Sequence, residues 1–375
     1  MGEKKLTIND IARLSGVSKS TVSRVITGSG YVRDDTREKV ERVIRMHSFQ
    51  PSASAQTLSG HTSHTIGVVI PEIGNTFYQD LFTGISTVLD ENGYTVIYCN
   101  TDNDEAKEEK ALMNLQGQQV RGLIYAPAVS YEDTGDYHRV LGMIRHTGAE
   151  VVLVDRELPN STYDSVLNDN FGSGYRATAE LIRSGCKTIG FITGNMTLAI
   201  ARERFRGFLQ AMKDLGVPVE RRYIYYGDYT LSTSYRISRQ MYESGDVPEG
   251  IVTSNNDTTL GLLKATAERN YMFGREIAVV GIDRIPVLDI VRYPLSYITR
   301  DSVEMGKITA RALLNRIENP DLPRQKVVMP CRMVLNGSEK INRIDSEERL
   351  DKAKENMYSK IMNRNDSVSK KDDQQ

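Results

Sequence analysis

The sequence is poor in the residues that mark several classes of protein. It has no tryptophan, and its only three cysteines, Cys99, Cys186 and Cys331, lie far apart in a chain of 375 residues. Their spacing fits neither a zinc site nor a disulfide framework, so we expect small buried thiols in a reducing compartment and no metal or cofactor. No apolar run approaches the roughly 20 residues that span a bilayer, which predicts no membrane segment.

The sequence also has no overall excess of positive or negative charge, because its formal net charge is −1. Its distribution is nevertheless uneven: residues 1–60 contain ten lysines and arginines against six acidic residues, a net charge of +4. A basic first segment on a mildly acidic body suits a phosphate-binding head. The segment Met1–Lys5 leads into the first predicted helix without an apolar signal core, so we expect a cytoplasmic protein.

Residues 6–27 have the pattern of two short helices separated by a tight turn. Apolar residues recur at three- and four-residue spacing on both sides of Gly16, and Gly16 suits the turn. Thr7 and Asp10 have the spacing of a capping box, and Ser18 can cap the second helix. The outward residues of that helix are hydroxyls and cations: Lys19, Ser20, Thr21, Ser23 and Arg24. The pattern predicts a helix-turn-helix that binds DNA; the alternative is an ordinary helical hairpin with a solvated face.

A third predicted helix begins near Asp35 and completes a headpiece over residues 1–48. Residues 49–64 then have the composition of a flexible polar linker, although Ala53, Ala55 and Leu58 after Pro51 could form a helix of two turns. A helix so short needs a partner to be stable in water.

From residue 65 onward, short β-branched runs alternate with amphipathic segments. The predicted strands are 66–70, 94–98, 122–125, 151–154, 165–168, 188–192, 250–253 and 277–281. The predicted helices are 77–92, 105–119, 172–185, 202–215, 231–244, 257–270 and 301–318. Apolar strands that each precede a helix indicate parallel sheets covered on both faces, and their number suits two doubly wound lobes of an α/β protein.

Polar and aromatic residues cluster where these strands end, which is where doubly wound sheets bind ligands. The candidates for a small polyhydroxy or anionic ligand are Asn75, Phe77, Tyr78, Asp102, Arg156, Arg204, Tyr229, Asn256 and Asp283. Arg156, Arg204 and Arg206 favour an anionic compound such as a sugar acid or sugar phosphate over a neutral sugar.

These motifs resemble the lactose-repressor (LacI/GalR) family of bacterial transcription regulators. The headpiece residues that carry the resemblance are 7–12, 16–18 and 21–26, and the resemblance extends over about residues 5–338. It implies a nucleoid-associated homodimer that binds a pseudo-palindromic DNA operator. Lys19, Ser20 and Arg24 would reach base edges, because the second helix starts at Ser18 and its first turns enter the major groove deepest. Thr7, Ser18, Thr21 and Ser23 would contact phosphates or pack within the headpiece. It also implies a hinge helix at 49–64, in which Leu58, beside Ala55, wedges into the minor groove.

The resemblance further implies a periplasmic-binding-protein-like effector domain at 65–338. Its lobes would be 65–164 with 298–325 and 165–297 with 326–338, and residues 339–375 would form a charged, disordered tail. The family motif that usually reads Asn-Pro-Phe has Thr76 in place of proline. Effector identity therefore cannot be carried over.

Two other functions are compatible with a two-lobed α/β protein. A solute-binding transport receptor would share the two lobes, but it would have no DNA-binding headpiece. An enzyme on an α/β scaffold would need catalytic residues, and the sequence contains no GxxxxGK[ST], GxSxG or HExxH motif. The sequence predicts no catalytic residues and favours an effector-controlled repressor of carbohydrate or sugar-acid metabolism genes.

Overall fold

A computed structural model of the chain describes residues 6–27, 30–47, 49, 63–131 and 134–341. The first described unit is a bundle of three helices, α1 (Ile8–Ser15), α2 (Lys19–Thr27) and α3 (Asp34–Met46). Their core is formed by Ile11, Val22 and Val40, each with no exposed surface. The predicted capping box of Thr7 and Asp10 is present at the start of α1. Gly16 ends α1 with φ of 66°, a left-handed conformation that glycine adopts without strain.

The remaining described residues form two lobes that share an alternating strand and helix order. The strands are β1 (Thr65–Ile70), β2 (Thr95–Asn100), β3 (Gly122–Tyr125), β4 (Glu150–Val154), β5 (Asp164–Asn168), β6 (Ile189–Ile192), β7 (Ile224–Tyr225), β8 (Gly250–Thr253), β9 (Ala278–Ile282), β10 (Ser296–Thr299), β11 (Lys326–Met329) and β12 (Arg332–Val334). The helices are α4 (Thr76–Glu91), α5 (Glu105–Gly117), α6 (Thr134–His146), α7 (Asn170–Arg183), α8 (Ala199–Asp214), α9 (Leu231–Ser244), α10 (Asn256–Ala267), α11 (Pro286–Ile290) and α12 (Ser302–Glu318). The predicted α/β fold with two sheets is confirmed.

Each lobe is built on one six-stranded sheet. The order in lobe 1 is β11-β5-β4-β3-β1-β2, and the order in lobe 2 is β12-β10-β9-β8-β6-β7. All pairings are parallel except that of β10 with β12. Strands β1, β3, β4, β6, β8 and β9 are buried along nearly their whole length because helices cover both faces of each sheet, whereas the edge strands β2, β7, β11 and β12 are partly exposed.

The predicted lobe boundaries at 165–168, 298–299 and 326–329 are wrong. Strand β5 pairs with β4, and β11 pairs with β5, so both belong to lobe 1, whereas β10 pairs with β9 in lobe 2. The chain therefore passes between the lobes after β5, after β10 and between β11 and β12. Local hydrophobic patterns predict a strand, but they do not specify which strand becomes its neighbour.

The predicted tail also begins too early. Glu339 is buried, its carboxylate accepts a hydrogen bond from the Ser296 hydroxyl, and it accepts another from the backbone N–H of Gly337 at 2.9 Å. Residues 339–341 therefore belong to lobe 2. The predicted disorder of 342–375 and the predicted hinge helix, with Ala55 and Leu58, lie outside the described residues.

Candidate functional site

The headpiece presents a polar surface on α2. The side chains of Val22 and Val25 are buried against the other two helices, which leaves Lys19, Ser20 and Arg24 exposed. Ser18 caps the helix, because its hydroxyl accepts a hydrogen bond from the N–H of Thr21 at 3.2 Å. A helix that exposes cations and hydroxyls on its first turns has the chemistry needed to read base edges in a major groove.

Two further predicted DNA-binding residues, Thr7 and Thr21, form hydrogen bonds within the headpiece. The Thr7 hydroxyl donates to the Asp10 carboxylate at 2.7 Å as part of the capping box. Thr21 and Ser23 are half-buried, and the Thr21 hydroxyl lies 2.8 Å from that of Ser18. These positions suit packing of the headpiece and contact with phosphates better than contact with bases.

A second candidate site is a cavity of about 250 Å³ between the two lobes. Its lining comes from loops that follow strands of both sheets, as expected for doubly wound folds. Eight of the nine predicted effector-binding residues line it: Asn75, Phe77, Tyr78, Asp102, Arg156, Arg204, Tyr229 and Asp283. Their roles in binding stay predictions.

The ninth, Asn256, lies instead at a contact between the lobes, and its neighbour Asn255 lines the cavity. The Nδ2 of Asn75 donates to the Oδ1 of Asn256 at 3.1 Å, and the Nδ2 of Asn256 donates to the hydroxyl of Thr76 at 3.2 Å. Asn75 also caps α4 by accepting from the N–H of Phe77. Thr76 stands where the motif described above usually has proline, and its hydroxyl supplies a hydrogen-bond acceptor that a proline side chain lacks.

Several loop residues around the cavity have a left-handed backbone conformation, which costs free energy for residues other than glycine. They are Asp102, Asn103, Asp155, Tyr229 and Asp283, with φ of 51°, 56°, 60°, 74° and 77°. Such strain of about 1–3 kcal/mol per residue persists where the surrounding structure holds it, and it is concentrated at binding sites.

The sequence did not single out Arg300, which lies at the passage from β10 to α12. Its side chain is 4% exposed, and its Nε donates to the Asp283 carboxylate at 2.8 Å. Its Nη1 lies 3.6 Å from the carboxylate of Asp155 in lobe 1, and its guanidinium lies over the Phe77 ring at 4.1 Å. Its place directly after the short strand β10 was the only available signal.

The arginine of lobe 1 is held by backbone carbonyls. Arg156 donates to the carbonyls of Pro127 at 2.9 Å and Ala128 at 2.6 Å, and to the Asn103 side chain at 2.7 Å. The loop with these carbonyls is fixed by buried Glu108, which accepts from the N–H of Ala128 at 2.6 Å.

Glu108 was not a predicted functional residue. Its carboxylate also accepts from the hydroxyls of Tyr125 and Tyr131. Burial raises the pKa of Glu108, against the opposite effect of these hydrogen bonds. A buried carboxyl group with three donors around it is an anchor for the loop rather than a solvated helix residue.

The arginine of lobe 2 is held by neutral groups. Arg204 lies on α8, and its Nε donates to the Oδ1 of Asn170 at 2.9 Å while its Nη1 donates to the carbonyl of Ser254. Its guanidinium lies 5.8 Å from the centre of the Tyr229 ring. Helix α8 can approach α7 closely because Gly174 on α7 has no Cβ atom. A Cβ atom at that position would lie 1.9 Å from the carbonyl oxygen of Arg204.

Arg206, which was predicted to favour an anionic ligand, does not line the cavity. Its side chain is exposed and pairs with Glu203 at 2.5 Å on the outer face of α8. The expectation failed because residues two positions apart on a helix point in different directions.

The cavity contains more carboxyl groups than guanidinium groups. Among the described residues, its lining includes five carboxyl side chains, those of Glu72, Asp102, Asp155, Asp228 and Asp283, and three arginines. Burial and the neighbouring Asp257 raise the pKa of Glu72, and burial and Asp283 raise the pKa of Asp257. If all eight of these lining groups are ionised, their net charge is −2, three positive against five negative, which opposes a further negative charge.

Three buried atoms of lining residues, the Tyr229 hydroxyl, the Arg156 Nε and the Arg300 Nη1, have no hydrogen-bond partner within the described part of the chain. Such atoms are uncommon in a folded interior and mark groups that a polar ligand can satisfy. No group of three or more metal-ligating side chains occurs in the ranges that the structure describes. Within the same ranges, no helix is both long and apolar enough to cross a membrane.

Comparisons with known proteins agree with this two-part organisation. Residues 7–52 match the sequence profile described as bacterial regulatory proteins, lacI family. Residues 63–325 match the profile described as periplasmic binding proteins and sugar binding domain of LacI family.

Relatives match over nearly their whole length. The ribose operon repressor of Escherichia coli (strain K12) is 30% identical over 332 residues, which are 88% of this chain and 99% of the relative. The catabolite control protein A of Priestia megaterium is 28% identical over 336 residues, which are 89% of this chain and 99% of the relative. Among solved structures, the Lac repressor dimer bound to operator and the anti-inducer ONPF aligns with a TM-score of 0.78 at 24% identity, covering 90% of this chain and all of that chain.

Proposed function

Because the chain belongs to the LacI family of bacterial transcriptional regulators, we propose that it is a dimeric repressor whose affinity for a pseudo-palindromic operator is set by a small sugar. The family consists of DNA-binding regulators, which excludes the enzyme and the transport receptor. The observation that carries the proposal is the pairing, in one chain, of the exposed polar face of α2 with a polar cavity between two lobes.

Base contacts are assigned to Lys19, Ser20 and Arg24, which are exposed on the first turns of α2. Thr7, Ser18, Thr21 and Ser23 are assigned to phosphate contacts and to the headpiece itself. For the linker, Ala55 and Leu58 are assigned to the minor groove at the centre of the operator. Two copies that present α2 in successive major grooves would read two half-sites.

The effector is proposed to be an uncharged monosaccharide. Carboxylates and amides accept hydrogen bonds from hydroxyl groups, while Arg156, Arg204 and Tyr229 supply donors and an aromatic face. The excess of carboxyl groups opposes a sugar acid or sugar phosphate. A LacI-family regulator of Enterococcus faecium that is 24% identical was solved with bound ribose, and the E. coli relative is a ribose operon repressor. D-ribose is therefore the first compound to test.

A second copy of the chain is the proposed partner of α11. Val287, Ile290 and Val291 at this helix are 53%, 80% and 63% exposed, which makes an apolar patch that a homodimer would bury. An Ile290→Asp variant should then dissociate at concentrations where the wild-type protein sediments as a dimer. Equal sedimentation of the two proteins would remove this face from the interface.

The experiment that tests the proposal selects an operator from random duplexes with the full-length protein and then measures its affinity in a gel-shift series. We expect the double variant Lys19→Ala, Arg24→Ala to lose roughly 30-fold or more in specific affinity, because base-edge contacts contribute about 1–3 kcal/mol each and about 1.4 kcal/mol is a factor of ten. The control is Arg13→Ala, an exposed arginine on α1. Retained specific binding by the double variant would contradict the assignment.

The effector is tested on the same complex. D-ribose, other neutral pentoses and hexoses, gluconate and ribose 5-phosphate are added to the operator complex, and thermal stability is measured in parallel. We expect a neutral monosaccharide to raise the melting temperature and change operator affinity. A response to the acid or the phosphate alone would refute the proposed effector class, and a protein that binds all duplexes equally would refute the repressor.

A further inference from the structure

Helix α8 begins in an unusual way for this protein. Six longer helices of the two lobes begin with a residue whose side chain accepts a hydrogen bond from the first turn: Asn75, Asp104, Asp169, Thr230, Asn255 and Asp301. Helix α8 instead begins after Leu198, which has no side chain able to accept a hydrogen bond. The loss of such a cap typically costs a helix about 1 kcal/mol.

The missing acceptor is supplied by the other lobe. The backbone N–H of Ala199, the first residue of α8, donates to the hydroxyl oxygen of Ser130 at 2.8 Å. Ser130 lies in the loop after β3 of lobe 1, so this hydrogen bond exists only while the two lobes are close together. Ser130 and Ala199 are not part of the cavity lining, although Leu198 and Ile200 are.

The loop that carries Ser130 is held firmly on its own lobe. Ala128 donates its backbone N–H to buried Glu108, and the hydroxyl of Tyr131 donates to the same carboxylate. Ser130 therefore lies between two anchored residues, at the loop whose carbonyls hold Arg156. Movement of lobe 2 away from this loop would break the hydrogen bond rather than draw the loop with it.

We propose that Ser130 is a positioning residue that caps α8 across the cleft and thereby couples closure of the lobes to the placement of Arg204. Arg204 lies five residues after Ala199 on α8 and lines the cavity. Closure satisfies the first N–H of the helix, and that gain adds to the stability of the closed state without any contact between Ser130 and a ligand. A ligand that binds the closed state then binds more tightly, because more of the protein is already closed.

Two substitutions remove the same hydrogen bond from opposite sides. Ser130→Ala removes the acceptor. Ala199→Pro removes the donor, and proline is favoured at the first position of a helix, where its missing N–H breaks no bond within the helix. Its ring carbon Cδ takes the place of the amide hydrogen, so in the closed state it would also collide with the Ser130 hydroxyl, which lies 2.8 Å from that nitrogen. Leu198 has φ of −86° and ψ of 133°, the extended conformation that a residue before proline requires. Helix α8 should therefore form in both variants. Ser130→Thr keeps a hydroxyl and serves as the matched control.

The test measures the distance between the lobes in the full-length protein without ligand. Spin labels are placed at Met113→Cys on α5 and Leu215→Cys after α8, both exposed positions, in a Cys99→Ser background and diluted into unlabelled protein. We expect Ser130→Ala to lower the ratio of closed to open protein about two- to tenfold, the effect of one net hydrogen bond. Ala199→Pro should lower the ratio further, because its ring also meets the Ser130 hydroxyl. The double variant should lose less than the sum of the two single losses, because Ser130→Ala removes that hydroxyl, and Ser130→Thr should resemble the wild type.

Distance distributions that are unchanged in both single variants would overturn the proposal, and so would additive losses in the double variant. The expected change in ligand affinity rests on the proposed effector cleft, whereas the expected change in lobe distance does not. In a ligand-binding assay with D-ribose, Ser130→Ala should bind about two- to tenfold more weakly than the wild type and Ala199→Pro more weakly still. Urea unfolding of Ala199→Pro should remain close to that of the wild type. Failure of D-ribose to bind the wild type would count against the proposed effector and leave the distance result to decide the role of Ser130.

Discussion

The two lobes hold their cavity arginines by different means. In lobe 1, Arg156 is bound by backbone carbonyls in a loop that the buried carboxyl group of Glu108 anchors. In lobe 2, Arg204 is bound by the Asn170 amide and the Ser254 carbonyl, on a helix placed by close backbone packing. Arg300, between the lobes, faces a carboxylate from each of them. Its electrostatic energy is therefore the one most sensitive to the angle between the lobes.

The largest effect is expected from Arg300→Leu. Loss of the guanidinium leaves Asp283 and Asp155 with no cation against them in a buried site, and breaking such an arrangement typically costs about 3–5 kcal/mol. Urea unfolding should show this loss, and effector binding should be abolished. Arg284→Ala is the control, because Arg284 is exposed and pairs with Asp289, and it should change the free energy of unfolding by less than about 0.5 kcal/mol. Equal effects of the two changes would contradict the role of Arg300.

Two glycine substitutions, one in each lobe, distinguish an effect on the free energy of unfolding from an effect on the position of Arg204. A Cβ atom at Gly84 would lie 2.0 Å from the carbonyl oxygen of Val303 between α4 and α12 in lobe 1, and one at Gly174 would lie 1.9 Å from that of Arg204 in lobe 2. Each change to alanine should destabilise the protein by about 1–3 kcal/mol through overpacking. Only Gly174→Ala should also weaken effector binding beyond the loss expected from unfolding, because it displaces Arg204. Similar binding by both variants in calorimetry would remove the distinction.

The carboxyl anchor of lobe 1 should be visible in the pH dependence of stability. The pKa of Glu108 is raised above its ordinary value of 4.5, so the folded protein binds this proton more tightly than the unfolded chain does. The contribution to stability is fully present below pH 4.5 and is lost as the pH rises through the raised pKa. The free energy of unfolding of the wild type minus that of Glu108→Gln should therefore decrease from pH 4 to pH 7.

Asn170, which accepts a hydrogen bond from Arg204 in lobe 2, provides the control for that measurement. Asn170 has no titratable group, so the difference between the wild type and Asn170→Ala should be the same at both pH values. Urea unfolding of all three proteins at each pH cancels the contribution of the other titratable groups. A difference for Glu108→Gln that does not change with pH would show that its carboxyl group titrates as in the unfolded chain.

The smallest effect is expected at the contact between Thr76 in lobe 1 and Asn256 in lobe 2. Thr76→Val keeps the shape of the side chain but removes the acceptor for the Asn256 amide. The ratio of closed to open protein should fall about two- to tenfold, as expected for one net hydrogen bond. Thr76→Ser should retain the wild-type value, and distances between spin labels on the two lobes provide the measurement. A loss in Thr76→Ser equal to that in Thr76→Val would exclude the hydroxyl as the cause.

Much of the fold could be predicted because it depends on neighbours in the sequence. The spacing of Thr7, Asp10 and Gly16 predicted the first helix and its end, and the apolar runs predicted most of the strands. The missed strands, β7, β10, β11 and β12, have two to four residues, and helices α6 and α11 were also missed. The lobe boundaries were wrong at β5, β10 and β11 because strand pairing is decided by distant parts of the chain.

The candidate cleft could be predicted where its residues end predicted strands. Asp102, Arg156 and Asp283 follow β2, β4 and β9 directly or closely, so their positions resulted from the fold class alone. Glu108 and Ser130 could not be found in this way, because one looks like an ordinary helix residue and the other like an ordinary loop residue. Their partners, Tyr131 and Ala199, are 23 and 69 positions away.

The amino-acid sequence by itself determined the DNA-reading headpiece and the alternation of strands and helices. Both depend on caps, turns and apolar faces formed by residues within a few positions of one another. Only the tertiary structure decided which charges meet at Arg300, which lobe β5 and β11 join, and that a serine of lobe 1 caps a helix of lobe 2. These contacts join residues far apart in the chain, and a hydrogen bond or ion pair requires a distance that no local pattern specifies.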